Sequence, residues 1–138
     1  MKRSKEEANR WLEQAKYDFQ SAKRMYEQKD YSNACFFSEQ AGQKALKAYL
    51  YFKGDRYVWE HSVFKLAIRC TKYERDFEQI MDGGKILDRY YLTTRYPDAI
   101  APPAIPYEMF TEKDASEAIG YAQKILEMVG NRLTEREK

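Results

Sequence analysis

Histidine and cysteine are scarce in this chain. It holds one histidine, His61, and two cysteines, Cys35 and Cys70. A structural zinc needs four ligands at characteristic spacing, and no Cys-x-x-Cys pair is present to supply them, so no metal site is expected. The two cysteines lie far apart in apolar stretches, where a free thiol behaves as a small hydrophobe. A disulfide between them is not expected, and a reducing cytoplasm is the default compartment. Glycine is sparse (six residues) and forms no phosphate-cradling loop. There is no apolar leader-like segment and no long apolar run, which predicts a chain without a membrane span. A strong charge of either sign is also missing. Lys and Arg number 24 against 22 Asp and Glu, for a net charge of +2, with the signs interspersed. A dedicated duplex binder carries a stronger basic bias. Composition therefore does not demand nucleic acid, though it leaves room for a local basic groove. Strand-like alternation persists nowhere.

Aromatic residues and helical periodicity are what the chain has in abundance. At 138 residues it is long enough for one domain spanning 1–138, with its core between about 8 and 133. Twelve tyrosines and seven phenylalanines must pack in that core or at an interface. Ser4 with Glu7 fits a capping box at the start of a first helix, whose apolar stripe is Ala8, Trp11, Ala15, Phe19, Ala22 and Met25 or Tyr26. Lys29-Asp30 breaks it. A second helix, from Tyr31 to about Phe52, is apolar around most of its circumference and ends at Gly54. It carries Glu39, Gln40, Gln43 and Lys44 among buried positions, and buried polar groups are costly unless paired. Glu39 and Gln43 share a face. Glu39 and Lys44, five apart, are separated by about 140°. Lys47, Lys53 and Arg56 read as solvated. A third helix begins near His61-Ser62, and a helical segment covers about 73–81. Asp82-Gly83-Gly84 reads as a break before another helix from Lys85 to Thr93. Residues 94–110 form a loop stiffened by Pro97, Pro102, Pro103 and Pro106. A last helix starts at Thr111 with Asp114 three residues on, and the tail after Leu133 should fray.

The architecture these elements predict is an all-α, up-and-down antiparallel bundle of about five helices. The order and spacing of four pieces resemble the HEPN family of small all-helical domains: Trp11, Leu12, Ala15 and Asp18; the helix bearing Glu39 and Lys44; His61-Ser62; and the loop Thr94-Arg95-Tyr96-Pro97-Asp98. The resemblance covers roughly residues 8–133. It implies a nucleotide- or RNA-binding bundle that forms a homodimer and partners a small nucleotidyltransferase in a toxin–antitoxin-like pair, without a cofactor. A metal-independent ribonuclease and a non-catalytic interaction module are the alternatives. Ribonucleases of the family resemble one another in an Arg followed after four to six residues by His. Arg56 and His61 match that spacing but fall between helices two and three. No histidine follows Arg89 or Arg95, where the motif belongs, so weak or absent ribonuclease activity is expected, with His61 the one candidate base. The expected ligand-binding residues are Arg95 for an anion, Tyr96 for stacking, Asp98 for orienting Arg95 or capping a turn, and Lys44 for added charge. The competing structural role for Arg95 is an ion pair with Glu39 or Asp98 that fixes the loop.

Overall fold

A computed structural model describes residues 2–137, with side chains from 3 to 134. Among them there is no strand. The elements are α1 (Lys2–Glu27), α2 (Tyr31–Phe52), α3 (Val63–Thr71), a 3-10 segment (Arg75–Ile80), α4 (Met81–Asp88), the single turn α5 (Tyr90–Thr93), and α6 (Glu112–Glu137). Among the described residues five helices exceed one turn, as expected. No described helix is long and apolar enough to cross a membrane.

α1 and α2 form a helical hairpin. Lys29 closes α1 in the left-handed region (φ 64°), and the Asp30 amide returns to the Met25 carbonyl. Asp30 stands at the N-terminus of α2, where its carboxylate accepts from the Asn33 side-chain Nδ2 at 2.8 Å and caps no backbone amide. α1 begins at Lys2, so Ser4 lies inside the helix and caps nothing. Glu7, its expected partner in a capping box, instead accepts from Arg10 and from Trp11 Nε1. α2 packs against α1, α3, α4 and α6 and supplies the core's bulk. Leu46, Tyr49 and Leu50 are fully buried, and the Tyr49 ring lies 4.5 Å from that of Phe77. Ala34, Ala41, Ala45 and Ala48 are fully buried too, which lets the neighbouring helices come close. Gly54 ends α2 with φ +101°, a conformation an L side chain resists. α6 runs to Glu137, and Lys138 lies outside the described residues.

Gly83 and Gly84 do not break a helix; they sit within α4. Both are buried because neighbours occupy the space a Cβ would fill. An added Cβ on Gly83 would meet the Tyr121 ring of α6 at 2.7 Å, and one on Gly84 would meet the Phe64 backbone at 3.1 Å. Glycine's weak helix propensity is thus overridden by close packing. Alanine would gain up to about 1 kcal/mol of propensity at either site. At Gly84 the obstructing atoms are backbone at the start of α3, which has little room to yield. Gly84→Ala is therefore expected to be destabilising by about 1 kcal/mol net, read as a lower urea midpoint at unchanged slope. A raised midpoint would show that α3 yields.

Candidate functional site

The circumference of α2 is interrupted by one polar arc. At 100° per residue, Glu39, Gln43, Phe36, Lys47, Gln40 and Lys44 fall in that order across about 140°. The arc's two edges meet different parts of the protein.

At the Lys44 edge, α1 supplies the partners. Lys44 Nζ lies 2.6 Å from Asp18, whose other oxygen accepts from Gln14 at 3.0 Å. Lys44 lines a shallow groove with Glu7, Arg10, Trp11, Glu13, Gln14 and Tyr17. That groove shares no residue with the Arg95 turn, so the structure does not bring Lys44 to Arg95. The wide separation of Lys44 from Glu39 around the helix is the reason. Lys47, expected to be solvated, is instead buried with its ammonium 5.2 Å from the Trp11 ring centroid. Burial lowers its pKa, partly offset by Glu60 and Glu39.

At the Glu39 edge, the side chains belong to the segment before α3 and to α5. Glu39 is fully buried, and it accepts from two neutral amides, Gln40 Nε2 and Gln43 Nε2, each at 2.7 Å. Burial pushes its carboxyl up to about 7. The two amide bonds pull the other way, Asp88 adds to the rise, and Arg95 opposes it. Gln43 Oε1 in turn lies 3.3 Å from His61 Nδ1. The His61 ring stacks on Tyr91, with centroids 5.4 Å apart and planes 13° from parallel.

Tyr91 also carries Arg95, one turn later. Arg95 Nη2 donates to the Tyr91 carbonyl at 2.7 Å. Its guanidinium carbon lies 4.2 Å from the Phe36 ring centroid, 4.8 Å from that of Tyr96 and 5.7 Å from that of Tyr91. Among the described residues no carboxylate pairs with it. The alternative role, an ion pair with Glu39 or Asp98, is not seen among the described residues, and three aromatic rings hold the cation. Arg95 and Tyr96 are both exposed, whereas Thr94 is buried and bonds the Tyr90 carbonyl at 2.8 Å. Asp98 is exposed on the following 3-10 turn, Pro97–Ala99, beside Leu92 and Tyr96.

Two anchors hold His61 against Tyr91. Arg69 of α3 bonds Glu60 at 2.7 and 2.9 Å and Asp55 at 2.5 Å. Burial alone would raise the Glu60 carboxyl, but the Arg69 bonds prevail and lower it. Asp88, at the end of α4, accepts from the Ser62 hydroxyl at 2.6 Å, the Val63 amide at 2.6 Å and the Phe64 amide at 3.3 Å. Ser62 itself caps α3 by accepting from the Lys65 amide. Arg56 points elsewhere: it lines a groove with Arg3, Glu6, Arg10 and Tyr51 that does not include His61. The sequence spacing of Arg56 and His61 is therefore not a spatial pair. His61 and Arg95 share Tyr91 as a neighbour, their ring and guanidinium lying 5.4 and 5.7 Å from its ring centroid.

Sequence reasoning missed Phe36, Asp88 and Tyr91. Phe36 and Tyr91 had a readable signal, because Phe36 precedes Glu39 by three residues and Tyr91 precedes Arg95 by four, and both spacings put side chains on one helical face. Asp88 had none, since its partners belong to another helix.

Comparison with known proteins agrees with this architecture. The family model described as HEPN domain matches residues 8–133. A protein of Methanocaldococcus jannaschii named "Putative toxin MJ1304" is 26% identical over 137 residues, 94% of this chain and 90% of that one. Among solved structures, TT1696 from Thermus thermophilus is 36% identical with a TM-score of 0.83, covering 91% of this chain and 97% of its own. ST0689, described as an archaeal HEPN homologue, is 34% identical with a TM-score of 0.75, covering 92% and 98%. A HEPN domain protein of Thermotoga maritima is 27% identical with a TM-score of 0.73, covering 91% and 98%. The match along nearly the whole chain, in sequence and in fold, makes this chain a member of the HEPN domain family.

Proposed function

We propose that the protein binds a nucleotide or single-stranded RNA at the Arg95–Tyr96 turn, as one member of a toxin–antitoxin-like pair. The observation that carries this reading is the state of Arg95. It is an exposed guanidinium with no carboxylate partner among the described residues, held in place by three rings and one carbonyl. Such a group offers a fork for phosphate, and the half-exposed Tyr96 ring beside it offers a face for a base. The toxin name of the Methanocaldococcus relative supports the biological setting. The proposed partners are a second copy of this chain and a small nucleotidyltransferase.

The test is titration of a fluorescent RNA oligonucleotide and of ATP against Arg95→Ala. Losing a charged hydrogen bond costs about 1.5–3 kcal/mol, so affinity should fall roughly ten- to hundredfold. Helix content should not change. A variant that binds normally but melts early would make Arg95 a structural clamp instead.

A second reading, RNA cleavage at the same site, is favoured by one observation: His61 and Arg95 both touch Tyr91. A histidine and an arginine on one tyrosine are a grouping that sequence spacing alone did not supply. Cleavage abolished by His61→Ala would select this reading. Activity that survives His61→Ala would exclude His61 as the base.

A further inference from the structure

The chain Glu39–Gln43–His61 runs from a fully buried carboxylate to an exposed imidazole, and binding by Arg95 makes no use of it. Above about pH 7 the Glu39 carboxyl is ionised and only accepts, and an amide has one accepting end and one donating end. Both Glu39 oxygens take an amide N–H, one from Gln40 and one from Gln43. The donating end of Gln43 is thereby committed to Glu39, which turns its oxygen toward His61 Nδ1. A carbonyl oxygen facing a ring nitrogen requires a proton on that nitrogen.

We infer that Glu39 and Gln43 are positioning residues that hold neutral His61 in the Nδ1–H tautomer, leaving the Nε2 lone pair on the outer edge of the ring as a hydrogen-bond acceptor. This is the less populated tautomer of a free histidine side chain in water, so the fold must impose it. Stacking on Tyr91 fixes the ring plane, and Gln43 fixes which edge faces inward. Resting on the ligand reading above, the consequence is a site with one acceptor, His61 Nε2, and one cation, Arg95. Such a pair selects a ligand that has a hydroxyl or amino donor near its phosphate over a bare phosphate.

The chain has a single histidine, so long-range proton–nitrogen correlation spectra of the 15N-labelled full-length protein report His61 alone. At pH 9, where imidazoles as a class are uncharged, wild type should show a protonated Nδ1 and an unprotonated Nε2. Gln43→Met keeps the side chain's length and removes the acceptor. Glu39→Met leaves the Gln43 amide free to turn. Each should move His61 toward the Nε2–H form with circular dichroism unchanged, a shift that a merely structural role would not produce. Nε2–H in the wild-type protein overturns the inference, and this measurement needs no variant to fold. An unchanged tautomer in Gln43→Met overturns it as well, and in Glu39→Met it removes Glu39 from the chain. None of these spectra contains a ligand, so they stand or fall apart from the Arg95 titration. In that titration Gln43→Met should weaken RNA binding roughly two- to tenfold, the worth of one neutral hydrogen bond. Undiminished affinity with a shifted tautomer would overturn the ligand-facing half of the inference.

Discussion

Asp88→Ala is expected to destabilise the protein by about 3 kcal/mol and to lower its thermal midpoint by roughly 10 °C. One carboxylate accepts from a hydroxyl and two backbone amides at the start of α3, at 2.6, 2.6 and 3.3 Å. The first amides of a helix have no partners within it, so each depends on an outside acceptor or on water. Removing an ordinary cap costs about 0.5–2 kcal/mol. Here the acceptor is charged and half-buried, and it also ties the end of α4 to the start of α3, so the cost exceeds that of a cap. Asp88→Asn keeps one oxygen and loses the charge, and about half the effect should remain. The residue matters to the site as well, because Ser62 follows His61 directly. In Asp88→Ala the stacking of His61 on Tyr91 should loosen, seen as a shift of the histidine ring resonances toward those of a free side chain. A midpoint within about 2 °C of wild type would show that water replaces the carboxylate at these amides.

What could be read from sequence was whatever local rules decide. The bounds of α2, the start of α3 after His61-Ser62, the glycine after α2 and the Thr111–Asp114 pair all appear where periodicity and capping put them. In that last pair the Thr111 amide donates to Asp114 at 3.0 Å, and the Asp114 amide donates to the Thr111 hydroxyl at 3.1 Å. The adjacency of Arg95 and Tyr96 was equally local. Tertiary packing decided the rest. Gly83-Gly84 carries the local signature of a break, yet α3 and α6 approach so closely that only glycine fits there and the helix continues. Lys47 has the composition of a solvated residue, but Trp11 of α1 covers it. His61 and Arg95 are distant in sequence and share a neighbour only because α5 places Tyr91 against both. Lys44 and Arg95 were expected to meet, and the angular width of one helix sends Lys44 to Asp18 instead. Spacing within an element was thus informative, while pairing between elements required the fold.

The wild-type protein is expected to lose up to about 3 kcal/mol of stability as pH rises from about 4.5 to about 7, and Glu39→Gln should abolish that loss. Glu39 is fully buried and its carboxyl is pushed up to about 7 from the ordinary 4.5, first by desolvation. The folded state then holds this proton more tightly than the unfolded chain does. Its contribution is complete below pH 4.5 and declines as pH climbs through 7, where the buried group must ionise. Each tenfold gain in proton affinity is worth about 1.36 kcal/mol, so a rise from 4.5 to about 7 gives the stated figure. Glu60 and Glu74 have carboxyls lowered rather than raised, so their stabilisation is lost below pH 4.5, outside the window. The raised tyrosines and cysteines act only at alkaline pH. Asp88 and Arg95 bear on Glu39 from α4 and from the end of α5, with opposing signs, and neither changes between wild type and variant. Glutamine at this position has one acceptor oxygen for two amide donors, Gln40 and Gln43, which costs about 1 kcal/mol. Glu39→Gln should therefore be less stable than wild type at pH 5 by about 1 kcal/mol and more stable at pH 8 by about 2 kcal/mol. Urea titrations of both proteins at the two pH values measure this reversal, and contributions from groups they share cancel in the difference. A wild-type stability that holds level or rises between pH 5 and 8, with the variant in parallel, would mean that Glu39 is ionised throughout and that its two amide partners outweigh its burial.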